Sequence, residues 1–261
     1  MDKKYTFDEF IEIIAKLRGE NGCPWDREQT FSSMKTTVLE ESYEVIDACD
    51  EGGKKLADEL GDLFLQIVML SQIASEDKSF DISDVIDMIS KKMIHRHPHV
   101  FGDVKADTAD EVLKNWDKIK REDKNDSTVT KSLRDITKTL PSILKAHKVQ
   151  SRASKVGFDW DNTDAVFDKV FEEINELKTA YNNKDVSNIH EELGDLLFSV
   201  INLSRFLKVN PEIALNDSTE KFVNRFEKIE KAANEKGKSI ENMSFEEMDA
   251  LWDEVKIAEK A

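Results

Sequence analysis

The sequence is poor in cysteine, proline and glycine, and it lacks long apolar runs. Its 261 residues include two cysteines, four prolines and nine glycines. Cys23 and Cys49 cannot build a disulfide framework, so we interpret them as reduced thiols of a cytoplasmic protein. So few prolines and glycines argue against a turn-rich β architecture. The longest apolar stretches, such as 67–70, are far too short to cross a bilayer, and residues 1–5 do not resemble a signal peptide.

Positive charge is also scarce relative to negative charge. The formal net charge is −16, and no dense block of lysine and arginine occurs. Nucleic-acid binding normally depends on clustered basic side chains that neutralise phosphates, so we expect no nucleic-acid partner. A small anionic ligand remains compatible with this charge if a metal ion or a few focused cations hold it.

What the sequence does contain is an internal duplication. Five motifs recur in the same order at offsets of 129 to 136 residues, and the four tryptophans form two pairs. Such an ordered series indicates a tandem duplication of one domain. The matching segments are 22–26 with 157–161, 40–44 with 172–176, 58–63 with 191–196, 92–96 with 221–225, and 116–120 with 252–256.

The apolar pattern predicts helices in both repeats. Apolar residues recur at three- and four-residue intervals in 7–17, 60–70 and 193–203. We therefore predict an all-α fold of two tandem homologous helical-bundle domains. The predicted boundaries are 1–122 for the first domain, 123–131 for a polar linker and 132–261 for the second domain, with the Ser132 side chain capping its first helix.

Two acidic pairs at helical spacing stand in each repeat. Glu41 and Glu44 are three residues apart, as are Glu59 and Asp62, so each pair shares one face of a helix. In an antiparallel hairpin, residues equidistant from the turn lie side by side. The pairs Glu44–Glu59 and Glu41–Asp62 both have their midpoint at 51.5, beside Gly52-Gly53. We therefore predict that these four carboxylates meet, and we predict the same of Glu173, Glu176, Glu192 and Asp195.

A patch of four carboxylates predicts a divalent metal site. Like charges so close together repel one another unless a cation neutralises them. Ligands that are all oxygen favour Mg²⁺, with Mn²⁺ as a substitute, over zinc. Mg²⁺ commonly completes its shell with phosphate oxygens, so the expected ligand is phosphorylated. The alternative, that paired acids are ordinary solvated helix faces, is weakened by the second pair, the shared midpoint and the repetition.

Cations and tryptophans follow each acidic hairpin. Arg96 and Lys120 in the first repeat can offset the negative charge of a triphosphate. Trp116 lies one helical turn before Lys120 and either stacks on a nucleobase or acts as a buried anchor beside a lysine that reaches solvent. The corresponding residues of the second repeat are Arg225, Lys256 and Trp252.

Two further features are interpreted as structural. The segment 95–99 holds three histidines, but Pro98 ends the preceding helix and the second repeat has no histidine at the matching positions, so we predict a helix terminus. Cys49 stands beside Asp50 and Glu51, whose negative charge disfavours a thiolate, so it is not a candidate nucleophile.

Together these motifs resemble the MazG family of nucleoside triphosphate pyrophosphohydrolases in its two-domain form. The resemblance rests on Glu-Glu-x-x-Glu followed by Glu-x-x-Asp in each repeat, and on the flanking segments 21–26, 96–101 and 156–160. It covers essentially the whole chain. It implies an all-α bundle, generally a homodimer, that uses Mg²⁺ to hydrolyse NTPs or dNTPs between the α and β phosphates.

The resemblance also implies roles for individual residues. It assigns metal binding to the motif carboxylates, nucleotide contacts to Arg225, Trp252 and Lys256, and the main catalytic role to the C-terminal domain. There is one departure, because the lysine of the family pattern four residues before Glu192 is Asn188 here. The first repeat keeps its own carboxylates, arginine, tryptophan and lysine, so the sequence alone does not make it an inactive copy.

The resulting hypothesis is Mg²⁺-dependent hydrolysis of nucleoside triphosphates to the monophosphate and pyrophosphate, in a nucleotide-pool housekeeping role. A water activated between carboxylate-bound ions would attack in line, with Glu191 or Glu172 orienting or deprotonating it. A ferritin-like di-iron bundle is disfavoured because neither hairpin contains a Glu-x-x-His pair. A non-catalytic nucleotide sensor or helical scaffold is the alternative from another class.

Overall fold

The structure is a computed structural model, and it describes residues 3–123 and 128–259. Within these ranges the chain is helical and contains no strand, which confirms the predicted all-α class. It divides into two compact units, Met1–Lys124 and Asn125–Ala261. Across the described residues, every helix is too short or too polar to span a lipid bilayer.

The first unit contains seven helices among its described residues. They are α1 Phe7–Arg18, α2 Pro24–Glu28, α3 Met34–Glu51, α4 Gly53–Glu76, α5 Ile82–Arg96, α6 Pro98–Phe101 and α7 Ala109–Asp123. Helices α3 and α4 form an antiparallel hairpin, α1 packs on α4, and α5 packs against both α4 and α7.

The second unit repeats the long hairpin. Its described helices are α8 Val129–Arg134, α9 Ser142–Ser154, α10 Thr163–Asn183, α11 Val186–Phe206, α12 Pro211–Glu235 and α13 Phe245–Ala258, with a short 3-10 turn at Ile240–Asn242. Helices α10 and α11 form the hairpin, α9 packs on α11 and α12, and α12 pairs with α13.

Side-chain caps explain where several helices begin. The Thr6 hydroxyl accepts a hydrogen bond from the Glu9 N–H, and the Glu9 carboxylate accepts one from the Thr6 N–H at 2.9 Å. This reciprocal capping box pairs two backbone donors that have no partner inside the helix. Asp81 and Ser244 form the same arrangement at the starts of α5 and α13.

Each unit has a buried apolar cluster. In the first unit Ile14 of α1 packs with residues of α3 and α4, namely Met34, Val68, Met69 and Ile73. In the second unit Ile229 and Ala233 of α12 pack against Leu251 of α13, with Trp252 and Val255 around them. Burial of these apolar faces holds the helices together.

The predicted domain join is described only in part. The division of the chain into units falls within the proposed linker 123–131, but residues 124–127 lie outside the described residues. The predicted cap at Ser132 is wrong, because Ser132 lies inside α8 and the Thr128 side chain caps that helix by accepting from Lys131. The Ser132 carbonyl instead accepts a hydrogen bond from Arg152. The boundaries 1–122 and 132–261 stay predictions.

The histidine segment is a helix terminus, as the sequence indicated. Helix α5 ends at Arg96, and Pro98 occupies the first position of α6. His97 joins the two helices, and its Nδ1 lies 2.6 Å from the Met93 carbonyl oxygen. Cys23 and Cys49 are both free.

Candidate metal centre in each helical hairpin

The hairpin turns bring acidic residues of facing helices together. In the first unit Gly52 alone separates α3 from α4, and its backbone has φ +67° and ψ −159°. In the second unit Lys184 and Asp185 join α10 to α11, with Lys184 in the left-handed conformation at φ 56° and ψ 29°. Such short connections place residues equidistant from the turn next to each other.

The first hairpin gathers its acidic side chains on one side. Carboxylate oxygens of Glu41, Glu59 and Asp62 all lie within 4.8 Å of one another. Burial and the neighbouring negative charges raise the pKa of Glu41. Glu44 forms a hydrogen bond with Glu59. Burial and the negative charge of Glu59 raise the pKa of Glu44 as well. All four predicted carboxylates therefore meet.

The second hairpin repeats this arrangement. Carboxylate oxygens of Glu173, Glu192 and Asp195 also lie within 4.8 Å of one another. Glu173 is buried, with 4% of its surface exposed. Burial raises the pKa of Glu192, and the charges of Glu176 and the other acidic neighbours raise it further. Glu176 is thus a charged neighbour of Glu192, although the group that lies within 4.8 Å consists of Glu173, Glu192 and Asp195.

Two lysines that the sequence analysis did not single out contact these groups. Lys55 lies 2.5 Å from Glu59, and Lys169 lies 2.8 Å from Glu172 and 2.7 Å from Glu173. The hydrogen bond from Lys55 lowers the pKa of Glu59, and the two glutamates raise the pKa of Lys169. Each lysine precedes its buried glutamate by four residues, a spacing that predicts such pairs on a helix.

A cavity of about 620 Å³ adjoins the second carboxylate group. Its lining includes Glu173 and Asp195 together with the aromatic residues Phe158, Trp160 and Phe198. Glu176 and Glu192 instead border a shallower depression of about 300 Å³, together with Glu172 and Asn188. Asn188 also helps to begin α11, because its N–H donates to Asp185 at 3.2 Å. Glu191 is exposed and is not part of either lining.

The cations that were predicted to bind phosphate form ion pairs with acidic neighbours. Arg96 donates to Asp123 through Nε at 3.2 Å and Nη2 at 3.0 Å. Arg225 donates to Glu259 at 2.9 Å, and Lys256 lies 3.6 Å from Asp253. Phosphate contacts by these residues stay predictions.

Both tryptophans are packed beside cations. Lys120 lies 5.9 Å from the centre of the Trp116 ring, and Arg225 lies 5.7 Å from that of Trp252. Trp252 also packs against Phe222, with ring centres 5.2 Å apart, and against the buried cluster of α12 and α13. This packing favours the anchor interpretation of Trp252, and Trp252 is not among the residues that line the 620 Å³ cavity.

The fold and the site define the class: an all-α protein built from two acidic helical hairpins. The model of the MazG nucleotide pyrophosphohydrolase domain matches the chain twice, over residues 29–101 and 162–234. Each match spans one complete carboxylate group. The chain belongs to this family.

Several relatives match nearly the whole chain. A protein of Thermotoga maritima named nucleoside triphosphate pyrophosphohydrolase/pyrophosphatase MazG is 43% identical over 96% of this chain and 95% of its own length. The nucleoside triphosphate pyrophosphohydrolase of Escherichia coli K12 is 42% identical over 95% and 96%, respectively. The uncharacterised protein YabN of Bacillus subtilis is 44% identical over 98% of this chain and 53% of its own length.

Proposed function

We propose that the chain hydrolyses nucleoside triphosphates to the monophosphate and pyrophosphate, and that the second unit is the main catalytic one. The observation that carries this proposal is the meeting of Glu173, Glu192 and Asp195 within 4.8 Å beside an open cavity. The names of the full-length relatives specify the same reaction.

The donor set fits Mg²⁺, with Mn²⁺ as a substitute. All candidate ligands are carboxylate oxygens. Burial and the charges of the acidic neighbours raise the pKa of Glu192, and the repulsion among these carboxylates favours a bound cation. Bound there, the ions would supply Lewis acidity and a more acidic water. In the first unit the same chemistry falls to Glu41, Glu44, Glu59 and Asp62.

Of the two candidate proton acceptors, the geometry favours Glu172. Glu172 borders the depression that also contains Glu176 and Glu192, whereas Glu191 does not. Lys169 bridges Glu172 and Glu173, so it holds the Glu172 carboxylate close to the acidic group. In this position Glu172 accepts a proton from the attacking water.

The predicted cations would neutralise the negative charge of the phosphates. Arg225 and Lys256 in the second unit would bind the triphosphate after exchanging their contacts with Glu259 and Asp253 for phosphate oxygens. The Arg225 guanidinium lies over the Trp252 ring, and this cation–π contact helps to hold it in place. The equivalent set in the first unit is Arg96, Trp116 and Lys120.

The test is a pyrophosphate-release assay on matched variants. Asp195→Asn and Glu192→Gln should each lower Mg²⁺-dependent turnover by about a hundredfold or more, because each removes a metal ligand. Asp62→Asn makes the same change in the first unit and should reduce turnover less. Asp249→Asn, an exposed acid of α13, is the control and should behave as wild type. Circular dichroism verifies that every variant is folded.

Wild-type turnover in Asp195→Asn or Glu192→Gln would contradict the proposed site. Nucleotide binding by the wild-type chain without pyrophosphate release would instead identify a nucleotide sensor.

We also propose a homodimer. Apolar side chains of the second hairpin are exposed at four- and three-residue spacing along both helices, and their exposed fractions range from 39% to 60%. An exposed apolar surface of this kind is typical of a protein interface. The residues are Phe167, Phe171 and Ile174 on α10 and Leu193, Leu197 and Val200 on α11.

The cellular setting follows from composition. Two free cysteines support a reducing, cytoplasmic location, and the net charge of −16 disfavours nucleic acid as a partner. Housekeeping of the nucleotide pool is the role that we assign to the reaction.

A further inference from the structure

The wall of the 620 Å³ cavity contains a buried side-chain oxygen that is unpaired among the described residues. Gln150 of α9 has 7% of its surface exposed, and its Nε2 donates to the Phe198 carbonyl at 2.7 Å. Its Oε1 is buried and lacks a hydrogen-bond partner among the described residues. Because buried side-chain acceptors are nearly always paired, this oxygen is suited to accept from a ligand in the cavity.

The first unit has apolar residues where the second has polar ones. Ile14 is the one buried residue of α1, whereas Gln150 is the one buried residue of the equivalent helix α9, and both helices are described in full. Met69 packs against Ile14 in the first core. Its counterpart, at the offset of 133 residues that separates Asp62 from Asp195, is Asn202, which lines the cavity. The second unit therefore has an amide, Asn202, at a site of apolar packing in the first unit, and the buried residue of its helix α9 is also an amide.

A further position has a smaller side chain in the second unit. Gln66 of the first unit is buried and donates to the Glu41 carboxylate at 3.3 Å. Its counterpart at the same offset is Ser199, a smaller residue that lines the cavity. Loss of the longer side chain leaves room beside Glu173 in the second unit.

The Asn202 amide is held in a fixed orientation. Its Oδ1 accepts from Arg205 through Nε at 3.1 Å and Nη2 at 2.9 Å. Arg205 is in turn held by Asp159, to which its Nη1 donates at 2.9 Å. Because Oδ1 is already engaged by a cation, the side chain is left with its N–H hydrogens as donors for a ligand.

We propose that this cavity binds the nucleobase of the substrate, and that Gln150 Oε1 accepts a hydrogen bond from an N–H on the edge of the base. Asn202 donates to an acceptor on the same edge. Phe158 and Trp160 also line the cavity and would pack against the base, and the phosphates would extend toward Glu173 and Asp195 of the same lining. This inference rests on the proposed function, and it places the base away from Trp252.

The test measures the contribution of the base to binding. Calorimetry gives the affinities of wild type and Gln150→Met for a nucleoside monophosphate and for ribose 5-phosphate, which lacks the base. The ratio of the two affinities should fall about tenfold in Gln150→Met, because methionine has a similar length but no amide acceptor. The control Gln72→Met changes a glutamine of the first unit that donates to Glu76, and it should keep the wild-type ratio.

A second variant covers the case in which Gln150→Met does not fold. Ser199→Gln introduces the first unit's residue into the cavity wall and should lower the same ratio by filling the space. An unchanged ratio in a folded Gln150→Met or Ser199→Gln would overturn the inference.

Kinetics separate this inference from the proposed function. In Gln150→Met, KM for the triphosphates should rise about tenfold and by different factors for different bases, with a smaller change in kcat. Equal KM values for wild type and variant would overturn base recognition while leaving the hydrolase intact. A wild-type chain that releases no pyrophosphate would overturn the proposed function, and the affinity ratio would still test the base site.

Discussion

At the scale of single residues, helical spacing brings the acidic side chains together, and neighbouring lysines partly neutralise their negative charge. Glu59 and Glu173 are the most buried carboxylates of the two sites, at 5% and 4% exposure, and each pairs with a lysine one turn earlier in its helix. Glu192 has no such lysine in its own preceding turn, since Asn188 stands there. The lysine that contacts the acidic group therefore lies on different helices of the two hairpins, on α4 in the first and on α10 in the second.

A salt bridge outside the sites provides a residue-scale prediction with a defined pH dependence. The Arg18 guanidinium is bound to Glu76 through Nε and Nη2, both at 2.7 Å, and this lowers the pKa of Glu76. Glu76→Gln should lower the free energy of unfolding by about 1 kcal/mol at pH 7, a modest value because Glu76 is 39% exposed.

The sign of the pH effect follows from the depressed pKa. The stabilisation is fully present above the ordinary carboxyl pKa of about 4.3 and is lost as the pH falls through the lower folded-state value. Urea unfolding at pH 7 and near pH 3 measures this, with the exposed Glu12→Gln as control. If the difference in free energy of unfolding between wild type and Glu76→Gln grew as the pH falls, it would contradict the assigned Arg18–Glu76 salt bridge.

The residues that were found from the sequence and those that were missed differ in a physical way. Glu41, Glu59 and Asp62 share helix faces and a hairpin midpoint, so local spacing alone predicts that they meet. Gln150 was missed because its role depends on burial and an unpaired oxygen, which arise only when α9 packs on α11. The Arg96–Asp123 pair joins residues that are 27 positions apart, a distance at which spacing predicts nothing.

At the scale of elements, the hairpin turns position the carboxylates. The first turn depends on Gly52, whose φ of +67° with ψ of −159° is a conformation that other residues rarely adopt. The second uses Lys184 in the left-handed helical region, which a non-glycine residue enters at some cost. The sequence indicated the first turn through Gly52-Gly53, because paired glycines are typical of tight connections between helices.

The two turns predict opposite effects of substitution. Gly52→Ala should destabilise the first unit by about 1–3 kcal/mol through backbone strain alone, since no atom lies within 4 Å of the added methyl group. Lys184→Gly should stabilise the second unit by up to about 1 kcal/mol, because glycine enters the left-handed region freely. Urea unfolding midpoints provide the comparison, and stabilisation by Gly52→Ala would refute the assigned turn geometry.

At the scale of the whole molecule, the duplication has produced two similar hairpins with different surroundings. Both keep four carboxylates, but Ile14 and Met69 belong to an apolar core in one unit, while Gln150 and Asn202 line a cavity in the other. The sequence revealed the duplication because the motifs recur in order. It did not reveal this difference, because packing decides whether a polar residue on a helix is buried.

The proposed homodimer gives a prediction at this scale. Phe171→Glu combined with Leu197→Glu places two charges on the exposed apolar surface of the second hairpin, so sedimentation equilibrium should detect a monomer where the wild type is a dimer. Phe245→Glu, at a residue of α13 that is 72% exposed, is the matched control and should remain dimeric. A monomeric wild type, or a double variant that stays dimeric, would count against this interface.

In the proposed reaction, the carboxylates of the second hairpin bind the divalent ions that support hydrolysis. The most direct measurement is anomalous diffraction from crystals of the full chain grown with Mn²⁺ and a non-hydrolysable nucleoside triphosphate. We expect Mn²⁺ peaks about 2–2.5 Å from oxygens of Glu173, Glu192 and Asp195 and from phosphate oxygens of the nucleotide. Ordered nucleotide with Mn²⁺ bound elsewhere, or with no Mn²⁺ at these side chains, would contradict it.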